Sequence, residues 1–198
     1  MATNAPDQVP DEVLLVLYAN GDPSAARELA RRLVPRILGY ATRLLGGDRA
    51  EAEDVAQEAM LRLWRVAPDW RRGEAKVTTW LYHVATNLCI DRRRGRMRRG
   101  ETAGSDDAPE VADDAPGPEV LLMQADRLTA LQAALTELPE RQRQAVVLRH
   151  IEGLTNPEIA AVLDVGVEAV ESLTARGKRA LQAILSGRRA ELGLAEGN

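Results

Sequence analysis

Phenylalanine is absent from this 198-residue chain, and cysteine occurs once, at Cys89. A lone cysteine excludes an intramolecular disulfide and a cysteine-rich zinc site. The two histidines, His83 and His150, stand far apart in sequence, which argues against a metal enzyme. Long apolar runs are missing too. The longest, Val13 to Ala19, has seven residues, whereas a membrane-spanning helix needs about 20. The first residues, Met-Ala-Thr-Asn-Ala-Pro-Asp, lack the basic and apolar regions of a secretory signal. A soluble cytoplasmic protein is expected. Aromatics make up only 3% of the chain, and all six (Tyr18, Tyr40, Trp64, Trp70, Trp80, Tyr82) precede residue 83. Any core in the second half must therefore be built from Leu, Val, Ile and Ala.

Charge is present in quantity but unevenly placed. The formal net charge of −4 looks unfavourable for a nucleic-acid binder. Residues 13–99, however, carry 17 Lys and Arg against 10 Asp and Glu, a net of +7. Arg92, Arg93, Arg94, Arg96, Arg98 and Arg99 crowd into eight positions at the end of that segment. Residues 100–126 follow with eight acids and no base, and residues 127–198 balance at nine of each. The acidic stretch GETAGSDDAPEVADDAPGP has no helical period and too little apolar surface to offset its ordering entropy. It reads as a flexible linker over 99–119; the alternative is a long surface loop within one domain.

Both flanks are rich in Ala, Leu, Arg and Glu, which favour helix. No segment alternates β-branched residues as a strand would. The punctuation predicts helices at about 10–19, 23–45, 48–66 and 77–97, and again at about 119–136, 140–151, 156–163 and 167–186. The fold class is all-α, with a helical domain over 11–98 and a second over 120–188.

In the second half, Thr155 with Glu158 makes a capping box, and Asn156 before Pro157 is an alternative cap. Ile159, Val162 and Leu163 give that helix a buried stripe. Gly166 is expected to supply a positive φ in the turn. The longer helix beyond places Val170, Leu173, Leu181, Ile184 and Leu185 on its apolar side. A short helix, a tight turn and a longer helix form the layout of a helix-turn-helix, whose second helix enters the major groove. Glu168, Glu171, Ser172, Ala175, Arg176, Lys178 and Arg179 lie on the opposite side. There Arg176 and Arg179 can meet phosphates or guanine, and Glu168 and Glu171 cytosine amino groups. A plain helical hairpin with a solvated charged face remains the alternative. The preceding helix sets Gln144, Val147, Leu148 and Ile151 on one supporting side.

The first half has two unusual helical faces. One buries Ala52, Val55, Ala59 and Leu63 and presents Asp54, Gln57, Glu58, Leu61 and Arg65, a polar face with one leucine in it. Protein docking and simple solvation both fit. The other buries Leu81, Val84, Ala85 and Leu88 and aligns Trp80, His83, Asn87, Asp91 and Arg94. An outward tryptophan, amides and trailing arginines suit single-stranded nucleic acid, because bases stack on aromatics while arginines follow phosphates. Trp70, Arg71, Arg72 and Lys76 extend that combination into the preceding loop. The alternative is that Trp80 fills core. Cys89 is read as a packing residue.

Together these segments resemble one family. EAEDVAQEAMLRLWR (51–65), VTTWLYHVATNLCIDRRRGR (77–96), LTELPERQRQAVVLRHIEGLTNPEIAAVLDV (135–165) and VEAVESLTARGKRAL (167–181) occur in the order and spacing of extracytoplasmic-function sigma factors of bacterial RNA polymerase. The resemblance implies a four-helix sigma domain 2, a helix-turn-helix sigma domain 4 and a variable linker between. It implies that Asp54, Gln57, Glu58 and Leu61 dock on the β′ clamp helices of core polymerase. It assigns Trp80, Asn87, Asp91, Arg92, Arg93 and Lys76 to melting and binding the −10 strand, with a flipped base held near residues 69–77. The −35 duplex would fall to Glu168, Glu171, Ser172, Ala175, Arg176 and Arg179, with the β flap bound to the same domain. Such factors are usually held inactive by an anti-sigma factor, often membrane-bound or zinc-binding. No catalytic set, cofactor, metal or small-molecule substrate is expected. Two departures stand out: Glu171 and Leu173 occupy positions where Lys and Arg are frequent, and Gly177 one where Ala is. Two competing readings are a stand-alone helix-turn-helix regulator and a sigma-like interaction module that binds no DNA.

Overall fold

In the computed structural model, residues 9–71, 76–100 and 118–191 are described. Every regular element among them is helical. Four helices form the first region: α1 (Asp11–Ala19), α2 (Pro23–Leu44), α3 (Arg49–Val66) and α4 (Val77–Arg99), with one 3-10 turn at Ala67–Asp69. Local chemistry explains where they begin. The Asp22 carboxylate accepts from the Ser24 N–H at 2.8 Å, with Pro23 opening α2. Asp48 accepts from the Glu51 N–H at 3.0 Å to start α3. Each cap satisfies an amide that has no partner within its helix. The sequence-based boundaries agree with these helices to within two residues. Only the 3-10 turn was not expected.

The first core is assembled from Leu15, Leu29, Leu33, Ile37, Leu63 and Leu81, all fully buried. Tyr40 and Tyr82 meet edge to face, with centroids 5.1 Å apart. Thr86 donates its hydroxyl proton to the Tyr82 carbonyl at 2.7 Å, leaving its oxygen to accept from the Tyr40 hydroxyl, also at 2.7 Å. A buried phenol is thus fully partnered, as burial requires.

The second region contains α5 (Pro118–Glu137), α6 (Glu140–His150), α7 (Asn156–Leu163) and α8 (Val167–Glu191). Its core is aliphatic as expected: Leu135, Val147, Leu148, Ile159, Leu163 and Val170. Thr155 is the cap of α7, and the Glu158 carboxylate accepts from the Thr155 N–H at 2.8 Å and from its hydroxyl at 2.7 Å. Four details differ from the sequence-based reading. α8 runs to Glu191, five residues past the end expected at about 186. The left-handed residue of the turn is Asp164 (φ 52°, ψ 50°), not Gly166. Aspartate enters that region more readily than most residues because its short polar side chain can hydrogen-bond locally. Ile151 lies just past α6 and is 38% exposed instead of continuing the buried stripe. Arg143, by contrast, is buried at 2% exposure.

Gly177 lies inside α8, where its lack of a side chain lets α8 approach α6. A Cβ there would stand 2.6 Å from Val146 Cγ2 and 3.0 Å from the Gln142 carbonyl oxygen. Gly177→Ala is therefore expected to destabilise the protein. A helix-propensity gain of about 1 kcal/mol is outweighed by overpacking, which costs about 1–3 kcal/mol. Urea unfolding of the two proteins checks the sign.

The two regions pack on one another. Gln132 on α5 donates to the Arg43 carbonyl at the end of α2 at 3.3 Å. The helix-turn-helix meets α4 mainly through α7. Buried apolar residues of both regions join in one continuous cluster. The linker expected over 99–119 falls mostly on residues 101–117, outside the described residues.

Candidate functional site

The three sets of residues singled out in the sequence occupy three surfaces. On α3, Ala52, Val55, Ala59 and Leu63 are buried, while Asp54, Gln57 and Leu61 are exposed and Glu58 is half-buried. Glu58 accepts from Arg62 one turn on, at 2.8 Å, and this bond holds its carboxyl below the usual range. Beside them runs an apolar groove of about 380 Å³ between α2 and α3, lined by Val34, Leu38, Met60, Leu61 and Trp64. The lone leucine in a polar face was its only sequence signal. The groove's other wall comes from α2, which a reading of α3 alone cannot show.

On α4 the expected face is present but largely engaged. Trp80 is half-buried and packs edge to face on Trp70, with centroids 6.1 Å apart. It is neither fully outward nor part of the deep core. Asn87 and Asp91 are exposed. Asn87 Nδ2 donates to His83 Nε2 at 3.0 Å, while His83 Nδ1 lies 3.1 Å from the Val162 carbonyl and donates to it. Arg92 contacts Asp54 Oδ2 at 3.2 Å and Glu51 Oε2 at 3.3 Å, so it joins the α4 set to the α3 set. Arg93 reaches Glu140 at 3.4 Å and Lys76 reaches Glu158 at 2.7 Å. Burial alone would raise the Glu158 carboxyl, but hydrogen bonds from Lys76 and Thr155 bring it down to about 2. Arg71 is exposed, whereas Arg72 lies outside the described residues, as do residues 73–75 of the loop expected to hold a flipped base.

On α8, Glu168, Glu171, Ser172, Ala175, Arg176 and Arg179 are all exposed, as a groove-reading face must be. Glu171 lies 3.5 Å from Asn156 on α7. Behind them, α5, α6 and α8 enclose a second apolar groove of about 310 Å³, lined by Leu131, Val146, His150, Leu181 and Leu185. Cys89 is 1% exposed, and burial pushes its thiol up to about 12, which makes it inert as well as inaccessible. Among the described residues no group of His, Cys, Asp and Glu could hold a metal ion, and no helix is long and apolar enough to cross a membrane.

Sequence reasoning missed the carboxylates that cover α4. Glu140, Glu152, Glu158 and Asp164 all face the first region. Their role depends on pairings across 47 to 109 positions of chain, for which periodicity carries no signal.

Comparison with known proteins agrees with this geometry. Residues 29–99 match the model of sigma-70 region 2, and residues 128–181 match that of sigma-70 region 4. SigW of Bacillus subtilis, an ECF RNA polymerase sigma factor, is 32% identical over 82% of this chain and 89% of its own. SigE of Mycolicibacterium smegmatis is 38% identical over 86% of this chain, which spans 66% of that protein's length. Among solved structures, CnrH bound to the cytosolic domain of CnrY superposes with a TM-score of 0.65 at 25% identity, covering 89% of this chain and 97% of CnrH. RpoE of Bartonella quintana, solved with the anti-sigma factor NepR, shares the fold with a TM-score of 0.67 at 21% identity, covering 81% and 96%. This chain belongs to the extracytoplasmic-function sigma factors of the sigma-70 family, alternative sigma factors that direct transcription initiation by bacterial RNA polymerase.

Proposed function

We propose that the three surfaces divide the work of initiation. Asp54, Gln57, Glu58 and Leu61 dock on the β′ clamp helices, with the α2–α3 groove receiving apolar side chains of the partner. Trp80, Asn87, Asp91, Arg92, Arg93 and Lys76 melt the −10 element and hold its single strand. Glu168, Glu171, Ser172, Ala175, Arg176 and Arg179 read the −35 duplex, while the β flap settles in the groove behind α8. The domains that carry these roles span 11–98 and 120–188, with 99–119 linking them. Support comes above all from the exposure of Asp54, Gln57 and Leu61 beside an apolar groove. A polar rim around an apolar centre is the composition of a protein interface.

The protein works in the cytoplasm with polymerase, in a response to stress or environment. An anti-sigma factor holds it inactive, as the family resemblance implies; CnrH, which shares the fold, is itself solved in complex with the cytosolic domain of CnrY. A membrane-bound partner of this kind would also sequester it at the membrane.

The −35 assignment is tested on α8. In the holoenzyme, Arg176→Ala and Arg179→Ala are each expected to weaken promoter binding, and each should reduce the salt slope by about 1 if the lost contact is a phosphate. A weakened affinity with an unchanged slope would assign the residue to a base edge instead. No change in either would remove it from the interface.

A further inference from the structure

A recognition helix reads base edges with its N-terminal part, and on α8 that part carries carboxylates. Glu168, Glu171 and Ser172 occupy its opening turns and are exposed, whereas Arg176 and Arg179 follow further along the same face. An ionised carboxylate only accepts hydrogen bonds. In the major groove guanine presents two acceptors, and thymine an acceptor and a methyl group, so neither can satisfy it. Adenine presents its amino group beside the N7 acceptor, which repels a carboxylate. Cytosine presents an amino group with no acceptor next to it. A carboxylate pressed against a base edge without a donor is desolvated and unpaired. Acids in the opening turns therefore penalise wrong bases as well as favouring the right one.

Of the two acids, Glu171 has a partner on the neighbouring helix. Asn156, at the start of α7, sets its Nδ2 3.5 Å from Glu171 Oε1. The Asn156 side chain is available for this because the cap of α7 is Thr155, whose amide and hydroxyl both donate to Glu158. Asn156 is half-buried and Glu171 exposed. With Oε1 turned toward α7, Oε2 is left for DNA. So long and solvated a contact adds little to stability. Its effect is on the direction of the carboxylate, and an acceptor already directed loses less rotamer freedom on binding. We propose that Asn156 is a positioning residue that orients Glu171, and that Glu171 so held makes the −35 element require a G·C pair at one position, with the cytosine amino group turned to the carboxylate. This rests on reading α8 as the −35 helix.

The test uses the holoenzyme and a pool of duplex promoters randomised over the −35 element, with the bound fraction sequenced. Wild-type protein should favour one orientation of a G·C pair at one position by about fivefold or more, the lower range for a base-edge contact. Glu171→Ala should abolish that preference at that position alone. Asn156→Ala and Asn156→Asp should each at least halve it, with no loss in thermal midpoint. Asn156→Asp is the sharper variant. It keeps the size of the side chain and suits the first turn of a helix, so a packing role would survive it, but it sets a carboxylate against Glu171 in place of a donor. In a Glu171→Ala background neither substitution at 156 should change the preference further, because both residues act through one contact. An undiminished preference in both Asn156 variants would overturn the positioning role. An A·T pair at the position that Glu171→Ala alters, both orientations of the G·C pair accepted equally, or no altered position while Arg176→Ala still weakens binding, would overturn the base assignment. If neither Glu171→Ala nor Arg176→Ala changes selection or affinity, α8 is not the reading helix and the proposal falls with that assignment.

Discussion

With Trp80 replaced by alanine, promoter opening by the holoenzyme is expected to fall by about 5- to 150-fold, the equivalent of losing one base–aromatic stack of about 1–3 kcal/mol. Trp80 stands at the start of α4, half-buried, with its ring supported edge to face by Trp70. An aromatic held on one side and open on the other is pre-ordered for a base, so little rotamer entropy is lost when one stacks. Unstacking and unpairing the duplex costs several kcal/mol, and the protein offsets this only by contacts absent from the closed duplex. The defect should therefore appear in the permanganate reactivity of unpaired thymines, with holoenzyme assembly unchanged. Trp80→Phe keeps a smaller π-face and should recover part of the loss. Normal opening by Trp80→Ala would return Trp80 to a purely packing role.

Leu61→Arg is expected to weaken binding to core polymerase by at least about tenfold, the scale of a central interface residue. Leu61 is 42% exposed at the lip of the groove formed with Val34, Leu38, Met60 and Trp64. Its side chain contributes little to folding where it is, so the substitution should leave the thermal midpoint nearly unchanged. In a complex, however, a guanidinium at the groove mouth would have to be desolvated without a partner. Fluorescence titration of labelled protein with core enzyme measures the effect. Unchanged affinity would move the docking surface away from α3.

The order of the helices and their ends, apart from that of α8, which runs five residues further than expected, were legible in the chain because their signals are local. Asp22-Pro23, Asp48 and the Thr155–Glu158 pair each act within one turn, and the stripes Ala52–Val55–Ala59–Leu63 and Ile159–Val162–Leu163 are set by helical period alone. The exposed face of α8 followed from the same rule. What periodicity does not carry is the partner of each face. Nothing local marks Arg143 as buried or Arg92 as tied to Asp54, because both depend on helices brought together from distant sequence. Gly177 illustrates the same boundary. By propensity it is a defect, whereas against Val146 and Gln142 it is the residue that fits. Trp80 fell between the two readings open to it, neither outward nor core, because its neighbour Trp70 approaches from a separate segment.

The charge pattern behaves likewise. A basic first region and acidic positions in the second were visible as counts, but not that Glu140 and Glu158 would face Arg93 and Lys76. Two weak DNA contacts on linked regions gain strength through effective concentration once polymerase holds both at the correct separation.

The most direct measurement is run-off transcription from a promoter of this factor with purified core polymerase. Added protein is expected to give a transcript of defined length that core alone does not make. Leu61→Arg and Trp80→Ala should each reduce it, the first at holoenzyme assembly and the second at opening. Duplex binding by the free protein with no transcript in the presence of core, or no transcript and no DNA contact at all, would contradict the account.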